Sequence, residues 1–329
     1  MMHGTSVSPA PASQRIWYLD FLKLLAAFLV VFYHLAYYEL DYGFQAGQPY
    51  LPNGNRILMS FAACSVPLFF TVNGALLFRR HRTWKEMLLK AAKILALTLI
   101  WQIAQFPDWF FKTLIILYVI FPALQFLKER CPLLLKLLCC AVFLMPFVYN
   151  MVLMCLKGAA LYGVIPDWTH GMTATGCFTM YSVLYFCLGL YLEEAKTWKG
   201  YQSLLCIFAG WALVIAECVI FTNSYQKMWD AVNAAFPTAG ALLMVLGLFM
   251  GSRLISFAGA ARFLKWAGPG ILAVYLLHMW FIKLVKQLLP LESYGLGLSV
   301  LLTIAVFLLC TLVQKLFKKL HPLDWLLRI

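Results

Sequence analysis

Residues 15–38 read RIWYLDFLKLLAAFLVVFYHLAYY, and this stretch decides the fold class. It is long enough for a membrane-spanning helix, which needs about 20 apolar residues at 1.5 Å rise each. After Arg15 at its start it also carries Asp20, Lys23 and His34 in an otherwise hydrocarbon-like run. Lys23 and His34 are separated by ten residues. Eleven steps of about 100° return to within about 20° of the start, so the two share one helix face about 16 Å apart along the axis. Asp20, three residues before Lys23, joins the same stripe. A charge inside a membrane is costly and by default faces an interior site.

The rest of the chain repeats the apolar pattern. Of 329 residues 63% are apolar and 12% charged, with a mean hydropathy of +0.82, whereas soluble domains are nearer 45–50% apolar and 25% charged. Nine further apolar runs lie at about 57–78, 87–106, 110–127, 133–154, 175–192, 201–221, 232–250, 268–287 and 295–314. The expected fold is therefore an all-α integral membrane protein of about ten transmembrane helices. Residues 1–15 read as a flexible tail and 16–329 as a single membrane domain; the tail lacks the basic and apolar regions of a cleaved signal peptide.

The formal net charge is +13, from 26 Lys and Arg against 13 Asp and Glu. In so apolar a chain this excess marks topology rather than nucleic-acid binding. Sixteen of the cations fall in the tail, the even-numbered loops and the C-terminus, led by Arg79, Arg80, Arg82 and Lys85. Only Arg56, Lys157 and Lys227 fall in the alternate loops. The bias predicts that both termini are cytoplasmic.

Other chemistries leave no trace. The ten cysteines form no CxxC pair and no His/Cys set with metal-ligand spacing, so they read as packing residues and no metal is expected. Neither a Walker A pattern nor G-x-G-x-x-G is present, which argues against a nucleotide-driven pump. Glu217, Lys283 and Lys286 lie toward the outer side, with interfacial snorkelling the plainer reading of the two lysines. Trp168 and Asp167 lie in an external loop, where a tryptophan stacks on a sugar or simply anchors the interface.

Four motifs in order resemble one family. The first span, with Lys23-x10-His34, looks like the Arg/Lys-x10-His span of the integral-membrane acyltransferase 3 family, the O-acyltransferases of bacterial surface polysaccharides and lipid-linked sugars. Residues 65–82, SVPLFFTVNGALLFRRHR, resemble its VPLFF-x-x-SG stretch and the R-x-R that follows, here Arg80-x-Arg82. The departure is Asn73-Gly74 in place of Ser-Gly. Residues 108–124, DWFFKTLIILYVIFPAL, and 271–282, ILAVYLLHMWFI, resemble its fourth and ninth spans, the latter placing His278 about 15 Å into the membrane.

The resemblance implies transfer of an acyl group, most often acetyl, from cytoplasmic acyl-CoA to a sugar hydroxyl of a cell-surface or lipid-linked glycan. Membrane lipids surround the protein, and the expected location is the bacterial cytoplasmic membrane. His34 is the expected base, or first acyl acceptor. Arg79, Arg80 and Arg82, with His81 and Lys85, are expected to hold the acyl-CoA phosphates. Lys23, Asn73 or His278 is expected to stabilise the oxyanion, with Asp20 and Glu217 as possible lining residues. No fused esterase-like domain is expected after the tenth span. A polytopic transporter of a polysaccharide or small polar solute is the alternative; the Arg80-x-Arg82 cluster and the lack, in the second span, of the paired Gly/Pro interruptions of broken transporter helices weigh against it.

Overall fold

A computed structural model describes residues 15–36, 43–102, 109–158, 178–230, 232, 237–289 and 295–320. The predicted Trp168 loop, Cys177 and residues 1–14 of the tail lie outside the described residues. Every described element is helical, and the protein is an integral membrane protein of the all-α class. In chain order the α-helices are α1 (Trp17–Ala36), α2 (Gly54–Ser60), α3 (Ser65–Leu77), α4 (Trp84–Gln102), α5 (Trp109–Arg130), α6 (Pro132–Leu138) and α7 (Met145–Gly158). They continue as α8 (Phe178–Glu194), α9 (Gly200–Tyr225), α10 (Ala239–Ser252), α11 (Ala261–Ala267), α12 (Ile271–Leu288) and α13 (Gly295–Lys319).

Each of the ten apolar runs contains a helix. Among the described residues, seven helical stretches are long and apolar enough to cross a membrane. Three predicted spans are composite, and each breaks next to a proline, which has no N–H to give and whose ring crowds the preceding turn. A 3-10 turn, Phe61–Cys64, precedes Pro67 in α3. A π-turn, Cys139–Phe143, precedes Pro146, with Leu144 N–H reaching Cys139 O at 2.9 Å. The 3-10 turn Gly268–Gly270 contains Pro269 and joins α11 to α12. Within the run read at 232–250 the described helix begins at Ala239, where Thr238 accepts the Ala241 N–H and caps the helix.

Lipid offers no hydrophobic driving force between helices, so close approach of small residues and satisfied polar groups hold the bundle together. α1 is the axis: it packs against α3, α10, α11, α12 and α13, and 72% of its apolar window is buried against 33% for α13. The rim presents Leu204, Leu205 and Phe208 on α9 and Leu301 and Leu312 on α13, apolar side chains suited to acyl chains. The crossing of α3 with α8 is backbone to backbone. A Cβ on Gly74 would lie 1.8 Å from Phe186 O, and one on Gly189 would lie 2.0 Å from Thr71 O. Only glycine permits this approach, and it fixes the helix that carries Asn73.

The loops sort to two ends. At one end, His81 meets Glu129 at 3.1 Å and Lys128 meets Glu194 at 3.2 Å. There too Arg15 Nη2 donates to Leu264 O at 3.0 Å and Arg253 Nη1 to Ala195 O at 3.0 Å. At the other end, Tyr50 N donates to Asn223 Oδ1 at 2.7 Å, Gly47 N to Gln226 Oε1 at 2.9 Å and Tyr33 Oη to Asp230 Oδ2 at 2.9 Å. The loops rich in Lys and Arg thus share one end. Arg56 is a correction to the charge sorting: it is no solvated loop cation but 1% exposed, because α2 starts at Gly54 on an Asn53 cap and carries it straight into the bundle.

Candidate functional site

The cation-rich end opens into a cavity of about 790 Å³. Its lining joins Arg15, Leu19 and Asp20 from the start of α1, Asn73 and Leu77 from α3, and Arg79, Arg80 and Arg82 from the turn after α3. Lys90 of α4 and Tyr118 of α5 complete it. The R-x-R turn projects here because the Phe78 N–H closes α3 on Gly74 O at 3.0 Å and the Arg80 N–H follows on Leu77 O at 3.3 Å. Gln125 Oε1 then accepts the Arg82 N–H at 3.1 Å. The Arg82 Nε is buried without a protein partner, a guanidinium donor that the protein leaves for another acceptor.

Two clamps organise the cavity wall. Asp20 receives Arg15 through Nε and Lys23 through Nζ, the latter at 2.8 Å. Glu193 of α8 receives both the Tyr18 hydroxyl and the Arg79 guanidinium. Asp20 is buried although charged, and its two cations make that burial tolerable. Arg79 therefore reaches the cavity already held by a carboxylate, unlike Arg82. Lys23 faces Asp20, one long helical stretch from His34.

Above the cavity lies a layer of rings. Asn73 Nδ2 donates to Phe69 O at 2.9 Å, so the inner end of the cavity is one turn below Phe69. Phe69 packs on Tyr275 with ring centroids 5.8 Å apart, and Phe110 packs on Tyr275 at 4.3 Å. Tyr275 in turn meets His278 edge-on at 5.8 Å.

Beyond that layer the structure brings His34 of α1 and His278 of α12 together, with ring centroids 5.2 Å apart. His278 is 2% exposed, and its Nδ1 lies 2.8 Å from Tyr275 O and 3.0 Å from Val274 O. Two backbone carbonyls within reach favour a proton on Nδ1. His34 is less enclosed and stacks edge-on with Tyr33 at 5.1 Å, whose hydroxyl is tied to Asp230. Proton transfer between a ring nitrogen and a hydroxyl is what two such imidazoles can do.

Glu217 stands apart from both regions. It is 4% exposed and lines a small cavity of about 10 Å³ with Asn150 and Thr238, large enough for one water. Sequence reasoning missed Arg15, Lys90, Tyr118 and Glu193 as parts of the cation site. Lys90 carried a signal, as a cation inside an apolar run; Glu193 carried none, because its partners are 114 and 175 residues away. Among the described residues no group of three or more His, Cys, Asp or Glu side chains is placed to hold a metal ion.

Fold and site together define a polytopic helical membrane protein with a cation-lined cavity at one end and a buried histidine pair beyond it. The chain belongs to the acyltransferase 3 family: the family model, described as an acyltransferase domain, matches residues 16–108 and 100–315. It is thus a membrane acyltransferase. No curated protein and no solved structure matches the chain.

Proposed function

We propose that this acyltransferase takes its acyl group, acetyl by preference, from cytoplasmic acyl-CoA and delivers it to a hydroxyl of a cell-surface or lipid-linked glycan, in the plasma membrane of a bacterium. The observation that carries the reading is the cavity that gathers Arg15, Arg80, Arg82 and Lys90 below the His34–His278 pair. Clustered guanidinium groups match the diphosphate and 3′-phosphate of coenzyme A. In this reading the positive-inside bias supports a cytoplasmic orientation of that end and of both chain termini.

In this reading the thioester points inward past Asn73, toward the ring layer and the histidines. His34 takes the proton of the acceptor hydroxyl as its oxygen attacks the thioester carbonyl. The tetrahedral intermediate collapses to the ester, and the thiolate leaves with that proton as coenzyme A thiol. His278, its Nδ1 committed to its own helix, offers Nε2 as an acceptor that biases which nitrogen of His34 carries a proton. Asn73, an amide donor at the inner end of the donor cavity, stabilises the developing oxyanion. Lys23 acts through Asp20, holding the carboxylate that orients Arg15.

The test is reconstitution of the purified protein with radiolabelled acetyl-CoA and a panel of lipid-linked saccharides, comparing wild type with His34→Ala and Lys23→Ala. Label is expected to reach a saccharide in wild type, to stay on the donor with His34→Ala, and to move with a weakened donor affinity with Lys23→Ala. Label that leaves acetyl-CoA equally well with His34→Ala overturns the mechanism. Label that never leaves overturns the donor. Single cysteines at Arg80 and Gln45 are expected to react from opposite membrane faces; labelling of both from one face overturns the orientation.

A further inference from the structure

Beside the larger cavity lies a second chamber of about 490 Å³, open to the surface, that shares Arg15, Ile16 and Arg79 with it and is otherwise lined by Trp17, Tyr18 and residues 255–258, including Phe257. Arg15 and Arg79 are thus the partition between two compartments. Each guanidinium is already held, Arg15 by Asp20 at Nε and by Leu264 O at Nη2, and Arg79 by Glu193 at Nη2, so its position is set before any ligand arrives.

The chamber's three rings are fixed as well. The Arg15 guanidinium carbon lies 5.3 Å over the Trp17 ring. The Tyr18 hydroxyl is anchored on Glu193. Phe257 is backed by Phe21, with centroids 5.0 Å apart. A chamber with two pre-set cations on the side it shares with the larger cavity, and aromatic side chains along the rest, fits a flat heteroaromatic base joined to phosphates. The neighbouring cavity, which runs inward to Asn73, fits a flexible arm instead.

We propose that the chamber bounded by Trp17, Tyr18 and Phe257 is a nucleobase subsite: the adenine of the donor stacks there, its phosphates bridge Arg15 and Arg79, and the acyl arm passes into the larger cavity. This rests on the acyl-CoA reading. It adds that the donor is bound in two lobes and that the segment between α10 and α11 contributes to donor selection. The acyl arm itself makes no contact with Phe257, so the two halves of the donor answer to different residues.

The experiment measures binding of adenosine 3′,5′-bisphosphate and of acetyl-CoA to the purified full-length protein in detergent, together with acyl transfer from S-acetylpantetheine, which has no nucleotide. Phe257→Ala is expected to weaken both adenine-containing probes by roughly 5- to 100-fold and to leave turnover of S-acetylpantetheine within about twofold of wild type. Phe257→Trp, which keeps a stacking ring, is expected to retain binding. Wild type that binds acetyl-CoA while Phe257→Ala binds it equally well overturns the subsite and leaves the donor reading standing. Equal loss with nucleotide and nucleotide-free donors in both Phe257 variants also overturns the subsite, since it marks Phe257 as a folding residue. Wild type that binds neither adenine probe overturns the donor reading and the subsite together.

Discussion

The cation-rich cavity and the histidine layer are built on opposite plans. The cavity draws Arg15 from the start of α1, Arg79, Arg80 and Arg82 from the turn after α3 and Lys90 from α4, with Asp20 and Glu193 as counter-charges. Its charges are redundant, and several are half-solvated, so no single one dominates. The histidine layer holds two rings 5.2 Å apart between packed helices, away from the cation cluster. Removing a cation should therefore cost a graded amount of donor affinity, whereas removing the histidine should stop the chemistry.

The largest effect is expected at His34. His34→Ala should lower acyl transfer by about 10²–10⁴-fold while acetyl-CoA still binds, measured as label transfer and as equilibrium binding on the same preparation. Loss of binding in that variant would join the two regions that the structure keeps separate.

Arg82→Ala should raise the KM for acyl-CoA by about 10-fold or more with kcat little changed, because a charge-assisted hydrogen bond contributes roughly 1.5–3 kcal/mol. Arg79→Ala should have the smaller effect of the two, since Arg79 already spends one edge on Glu193. Initial-rate kinetics at varied acetyl-CoA reads both. A fall in kcat alone would move Arg82 out of the donor cavity and toward the reacting atoms.

Gly189→Ala tests whether the α3–α8 crossing holds both regions in register. A methyl placed 2.0 Å from Thr71 O must push the helices apart, at about 1–3 kcal/mol, read as a lower midpoint in thermal unfolding of the detergent-solubilised protein. The smallest effect belongs to the surface. Lys128→Ala breaks the pair with Glu194, whose side chain is 59% exposed. It should change stability by less than about 1 kcal/mol and donor KM by less than about twofold.

Much of this was legible before any coordinates. The apolar runs announced helices across a membrane, and all ten runs contain one, because in hydrocarbon every backbone polar group must be satisfied within the segment. The order of the motifs pointed to the family, and Arg80, Arg82, Asp20 and Asn73 do line one cavity. The breaks at Pro67, Pro146 and Pro269 were readable in principle, since the missing N–H is a local property. Three things were not readable. Glu193 sat in an unremarkable helix end, yet it ties Tyr18 to Arg79. Arg56 looked like a loop cation and is buried, because hydropathy places a residue along a span but not around it. His34 and His278 were each picked out, but their meeting depends on how α1 and α12 pack.

The sequence by itself determined the all-helical membrane class, the end at which positive charge gathers, and the residue types from which the site is made, because hydrophobic length, charge bias and short motifs are local or additive along the chain. Only the tertiary structure decided which residues meet: the Asp20 and Glu193 clamps, the ring layer between Asn73 and His278, and the imidazole pair. The physical reason is that helix contacts in a bilayer are set by shape at particular crossings, such as Gly74 and Gly189 between α3 and α8, and not by hydrophobicity, which is the same on every side of a helix surrounded by lipid.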